Sequence, residues 1–178
     1  MMSMLDRMRH ATLAVPDTRS GHPHQARILC QTAGDGTLTA LLAGIATHSQ
    51  ALARDPRAGL LVEQTEEKGD PMTWPRLSLQ VTARLLPANA DIRDRWLQRH
   101  PRSRLFIDLP DFRFWSLTPQ RGLLNAGFGA AFRLTDQDLR GDDAKTPPCP
   151  SGSSGRLGIR NWIRLRPDDP CAHRRRYY

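Results

Sequence analysis

Apolar and polar residues alternate with a period of two in several short runs of this chain, and turn residues separate the runs. His10 to Val15 places Ala11, Leu13 and Val15 on one side before Pro16-Asp17 stops it. His24 to Thr32 and Thr37 to Leu42 follow, separated by the Gly34-Asp35-Gly36 hairpin signal. Arg57 to Glu63 is a buried-looking strand around Leu60, Leu61 and Val62. Arg76 to Leu86 sets Leu77, Leu79 and Val81 against Ser78, Gln80 and Thr82, which predicts a half-buried strand. Phe112 to Leu117 and Leu123 to Phe128 complete the set as two closing strands.

Helical spacing is confined to short stretches. Ser3 is a fair N-cap for a first turn through Met4, Leu5 and Met8. Ala46 to Arg54 favours helix through its Ala and Leu content, and Asp55-Pro56 ends it because the residue before proline avoids the α region. Asp91 to His100 places Ile92, Trp96 and Leu97 on one face, and Pro101 to Leu109 predicts another short helix. Ser20-Gly21-His22-Pro23 is turn chemistry, and Glu66 to Pro75 is a polar loop. Strands outnumber helices, and their connections are too short for parallel crossovers. The expected class is therefore mainly β (α+β), an antiparallel sheet curled into a barrel with a few peripheral helices.

After Leu139 the texture changes. Residues 141–158 are rich in Gly, Pro and Ser and offer little to bury. The expected division is a domain over 1–139 and a low-complexity, poorly ordered basic tail over 140–178. The formal net charge is +8, and residues 141–178, with eight basic residues against four aspartates, carry half of it. A nucleic-acid role would lean on Arg156 to Arg176, which contain no recognised module, so nucleic acid is not an expected partner. No apolar run approaches the roughly 20 residues of a membrane span. The first residues include Asp6, Arg7 and Arg9 and lack the apolar stretch of a signal peptide, so a cytoplasmic address is expected. Cys30, Cys149 and Cys171 form no CxxC pair, and the six histidines are scattered, so no metal site is expected.

Five segments, in order, carry a family resemblance. They are Ala11-Thr12-Leu13-Ala14 leading to Ser20-Gly21-His22-Pro23; Asp35-Gly36 with Leu41-Leu42; and His48-Ser49 through Asp55-Pro56-Arg57 to Leu60-Leu61. The others are Gly69-Asp70-Pro71 with Pro75-Arg76-Leu77-Ser78-Leu79, and His100-Pro101 with Asp111-Phe112 and Gly127-Phe128-Gly129. Over residues 4–139 the chain resembles the flavin-mononucleotide-binding split barrels related to pyridoxamine 5'-phosphate oxidase, in their haem-utilisation and general stress branch. The resemblance implies an antiparallel split β-barrel and a homodimer with the flavin ring in a groove between subunits. It also implies a flavoprotein and a possible FMN-dependent oxidoreductase on a small-molecule substrate that the sequence does not identify. A non-catalytic or haem-binding barrel, related to haem degradation, is the alternative.

In this family the helix after the third strand presents its first turn to the flavin phosphate, where free N–H groups and the helix dipole suit an anion. Here that turn is Thr47, His48, Ser49 and Gln50, with His48 and Ser49 matching the family's His-Thr pair. By the same resemblance Arg76 would supply a fixed charge near the cofactor. The chain also departs from the pattern. Ala43 stands where the family has Ser or Asn, Ala26 where a Ser or Arg faces the cofactor, Ala51 for a common Asn and Val81 for a usual Gly. Strict alternation puts Arg27 on the face opposite Ala26. A one-residue bulge there would turn Arg27 inward and restore the missing cation, so Arg27 and the Ala43 position join the candidate cofactor site.

Overall fold

The computed structural model describes residues 4–17, 19–33, 36–64, 68–126, 131–135 and 138–139. The expected Ser3 cap, the Gly34-Asp35 turn, the Gly127-Phe128-Gly129 motif and everything expected of residues 140–178 lie outside these residues.

The strands are β1 (His10–Pro16), β2 (Pro23–Thr32), β3 (Leu38–Ala43), β4 (Arg57–Glu63), β5 (Arg76–Leu85), β6 (Phe112–Asn125) and β7 (Ala131–Thr135). All pairings are antiparallel, in the order β3-β2-β1-β4-β5-β6-β7. A further pairing, β3 with β6, closes six of them into a barrel and leaves β7 outside the ring. The alternation seen in the sequence is the inside–outside alternation of this barrel. Leu13, Leu38, Leu60, Leu77 and Leu117 fill its interior and are essentially inaccessible. Cys30 joins them, and burial pushes its thiol up to about 12, which leaves it an inert apolar filler.

Among the described residues three helices flank the barrel: α1 (Met4–Arg7), α2 (Thr47–Arg54) and α3 (Ala90–Arg99). Among the described residues no helix is long and apolar enough to cross a membrane. The predicted helix at Pro101 to Leu109 is a 3-10 turn over Pro101–Leu105.

The two closing strands expected at 112–117 and 123–128 are one fourteen-residue strand, β6. Pro119 and Gly122 look like punctuation in the sequence, but each has a place in the ladder. Gln80 pairs with Arg121 and Val81 with Pro119, so Gln120 is the extra residue of a bulge, where a proline without N–H is tolerated. A Cβ on Gly122 would stand 3.0 Å from Leu79 Cδ2 and 3.4 Å from Leu134 Cβ, so this glycine permits close approach on both sides. The strand β7, with Phe132 and Leu134 buried in alternation, was not expected from the sequence.

A second, smaller apolar cluster forms where α3 packs on the outside of β3 and β6, around Trp96, Leu41, Leu97 and Ile107 with Phe114 alongside. His100 follows α3 and lies buried against Trp96, with ring centroids 4.4 Å apart and Nε2 without a hydrogen-bond partner. Burial, reinforced by the charges of Arg99 and Arg9, pushes its pKa down to about 4. The unfolded chain therefore takes up this proton first, near the ordinary value of about 6.5. His100 stabilisation is complete above that value and is lost as pH falls toward 4. Urea denaturation is expected to show a loss of about 2–3 kcal/mol between pH 7 and pH 4.5, because each pH interval of one between the two values is worth about 1.4 kcal/mol. A His100→Gln variant should lose most of this slope; an unchanged slope would remove His100 as its source.

Candidate functional site

The expected site begins where β3 ends. Ala43 is half-buried and pairs with Phe112, and the Gly44 N–H then donates to the Asp111 carbonyl at 2.7 Å, turning the chain toward α2. Ala46 takes the N-cap position with extended backbone (φ −70°, ψ 142°) and provides no side-chain cap. No acidic residue occupies the first turn, so nothing negative competes for the positive end of this helix. Ala51 and Leu52 bury against the barrel core and fix the helix orientation.

Within that first turn Ser49 is only 4% exposed, and its Oγ has no hydrogen-bond partner. A buried, unmade hydroxyl bond costs about 1–3 kcal/mol, so this is a group in want of an acceptor or donor. His48 is half-buried and its ring lies nearly parallel to that of His24 on β2, at 6.4 Å and 15°. Burial, and secondarily the neighbouring His24, lower the His48 pKa. Thr47 is exposed. Gln50 is exposed too, and its Nε2 donates back to the Ile45 carbonyl at 3.2 Å.

Arg19 reaches this turn from the β1–β2 connection, where one of its NH groups donates to Gln50 Oε1 at 3.2 Å. The loop that carries it is organised by Asp17, whose carboxylate accepts from the Arg19 backbone N–H and from Ser20 Oγ. Those bonds hold the Asp17 carboxyl below its usual range. Sequence reasoning treated this stretch only as turn chemistry and missed Arg19. The available signal was a basic residue immediately before Ser20-Gly21, on a loop whose destination depends on the folded barrel.

Two expected members stand elsewhere. The β1–β2 register runs without interruption from His10↔Leu29 to Pro16↔Pro23, with Thr12 opposite Arg27 and Leu13 opposite Ala26. The bulge that would bring Arg27 inward is therefore absent. Regular pleating leaves Arg27 exposed on the outer face and Ala26 half-buried on the face of Leu13. Arg76 donates to the Met72 carbonyl and pairs in the ladder with Glu63. Relative to the Leu13–Leu60 pair, Arg76 lies three residues toward one end of the barrel and His24 two toward the other. At about 3.3 Å per residue that is roughly 17 Å within one chain. Among the described residues no group of three or more His, Cys, Asp and Glu side chains could hold a metal ion.

Comparison with known proteins gives the same architecture. No family model matches the chain, and no curated protein does. Solved structures do match. One chain is 49% identical, with a TM-score of 0.71 over 77% of this chain and 91% of its own length. The heme binding protein of Mycobacterium smegmatis is 24% identical, with a TM-score of 0.67 over 77% of this chain and 60% of its own length, so the present chain spans about three fifths of that longer relative. A putative pyridoxamine 5'-phosphate oxidase from Listeria innocua (16% identity, TM-score 0.54) matches over 70% of this chain and 94% of its own. A FAD-binding protein of Mesorhizobium loti has the same identity and TM-score over 67% and 86%.

Proposed function

We propose that this chain, which shares the split-barrel fold of pyridoxamine 5'-phosphate oxidase-like proteins, binds flavin mononucleotide, with the phosphate at the first turn of α2. The observation that carries this reading is Ser49 Oγ, buried and unpartnered in a helix N-terminal turn free of side-chain caps and acidic residues. A phosphate at that turn would accept from Ser49 Oγ–H and from a protonated His48, while Arg19 beside Gln50 adds a guanidinium within the same neighbourhood. Flavin, when bound, supplies electron and hydride transfer; this chain supplies binding and orientation. Oxidoreductase activity would follow from that binding.

A second copy of the chain would supply the other wall of the flavin groove. Arg76 lies toward the end of the barrel opposite His24, which stacks on His48 of the α2 turn, so its contribution to that cofactor would come across a homodimer. Ala26 and Ala43 provide no polar side chain at positions where one would help, and an affinity weaker than that of a fully equipped site is expected.

Titration of the protein with FMN and with riboflavin, followed by flavin fluorescence, tests the placement. FMN is expected to bind at least about tenfold more tightly than riboflavin, the equivalent of one charge-assisted hydrogen bond. Equal affinities would displace the phosphate from α2, and no uptake of either would reject flavin binding. A second reading, a haem-binding barrel, is favoured by the likeness to the mycobacterial heme binding protein. A Soret band on adding haemin, in a protein that takes up no FMN, would select it.

A further inference from the structure

The outer wall of the barrel carries a second opening, remote from α2. A cleft of about 1120 Å³ lies between α3 and the outward faces of β3, β5 and β6. Strand register places one continuous polar row along its floor. Gln31 pairs with Thr39, Thr39 with Ser116 and Ser116 with Arg84, so these four side chains cross β2, β3, β6 and β5 on one face. The first three are buried, with Gln31 only 6% exposed. Buried polar side chains are ordinarily satisfied, and a row of them under a helix is an uncommon way to fill space. Gln31 Oε1 has no partner, and Ser116 Oγ meets only Thr118 Oγ1 at 3.5 Å.

The rim is cationic. Arg9, Arg84, Arg95 and Arg99 line the cleft against a single carboxylate, that of Asp6. Arg99 is committed to structure, since it donates to the carbonyls of Met8 and Asp6 and ties the N-terminal segment to α3. Arg9 donates to the Arg99 carbonyl. Arg84 and Arg95 have no carboxylate partner among the described residues; Arg95 donates only to the Asp91 backbone carbonyl. The positive field is felt next door, where Arg99 and Arg9 add to the effect of burial on His100.

We propose that this cleft binds a small organic anion carrying carboxylate or phosphate groups together with a hydroxyl or N–H donor. Arg84 and Arg95 hold the anionic groups, and Gln31 Oε1 accepts from the donor. The hydroxyls of Thr39 and Ser116 complete the floor. Gln31 is seven residues along β2 from His24, roughly 23 Å at strand rise, so the site is separate from the α2 turn and does not depend on flavin binding there.

Calorimetric titration with citrate, tricarballylate (citrate without its hydroxyl) and glycerol 3-phosphate tests this on the full chain. Citrate or glycerol 3-phosphate is expected to bind with a Kd below about 1 mM, and which of the two binds more tightly identifies carboxylate or phosphate as the recognised group. An Arg84→Gln/Arg95→Gln double variant, altered only at exposed positions, should bind at least about tenfold more weakly. Where citrate binds, tricarballylate should bind more weakly to the wild type and equally to a Gln31→Met variant. Failure of both citrate and glycerol 3-phosphate to bind the wild type, or unchanged affinity in the double variant, would overturn the proposal.

Discussion

Replacing Trp96 with alanine is expected to lower the unfolding free energy by about 3–5 kcal/mol, the range for truncating a fully buried aromatic side chain. Trp96 is 0% exposed, and it holds α3 against the barrel through three distinct contacts. Its Nε1–H donates to Ser103 Oγ at 3.0 Å, its ring meets Phe114 edge-on at 5.5 Å, and His100 lies against it at 4.4 Å. Truncation leaves a cavity and strands the Ser103 hydroxyl, itself 1% exposed. Trp96→Phe keeps most of the ring area and loses the hydrogen bond, so a smaller loss of about 1–2 kcal/mol is expected. Urea denaturation of the three proteins would check the order. A Trp96→Ala loss below about 1 kcal/mol would mean that α3 is not anchored by this side chain.

That anchoring was partly visible in the sequence, because Ile92, Trp96 and Leu97 share one face of a helix and periodicity is a local signal. The barrel strands were legible for the same reason. In β5 the residues Leu77, Leu79, Val81 and Ala83 all face inward, and every intervening side chain is exposed. Pairing across the chain was less accessible. Pro119 and Gly122 interrupt a local pattern yet serve a bulge and a close approach that exist only once β5 and β7 flank β6. The site shows the same division. The candidate α2 turn was implied by a resemblance carried on consecutive residues, whereas Arg19 arrives from a distant loop and Arg27 is kept outward by the unbroken β1–β2 register. The row Gln31–Thr39–Ser116–Arg84 is wholly non-local: its members belong to four strands, and only the register makes them neighbours.

The α2 turn yields the other large expectation, on cofactor affinity. A His48→Ala/Ser49→Ala double variant is expected to bind FMN about a hundredfold more weakly or worse, since each lost bond to a phosphate is worth about 1.5–3 kcal/mol. The two single variants should differ in kind. Ser49 Oγ is a buried group without a partner in the free protein. Ser49→Ala should therefore leave the free protein as stable as before, or slightly more so, while FMN binding weakens. His48 should act through its proton. Burial and His24 keep its pKa below the ordinary value, so in the free protein near pH 7 the imidazole is mostly neutral. A bound phosphate dianion favours the imidazolium, which makes FMN binding take up a proton and tighten as pH falls from 8 toward 6. Below about pH 6 the phosphate itself gains a proton and the tightening ends. Fluorescence titrations across this range should show the slope in the wild type and in Ser49→Ala, and a flatter profile in His48→Ala. A wild-type affinity independent of pH, or a His48→Ala slope equal to that of the wild type, would place the phosphate elsewhere on the barrel.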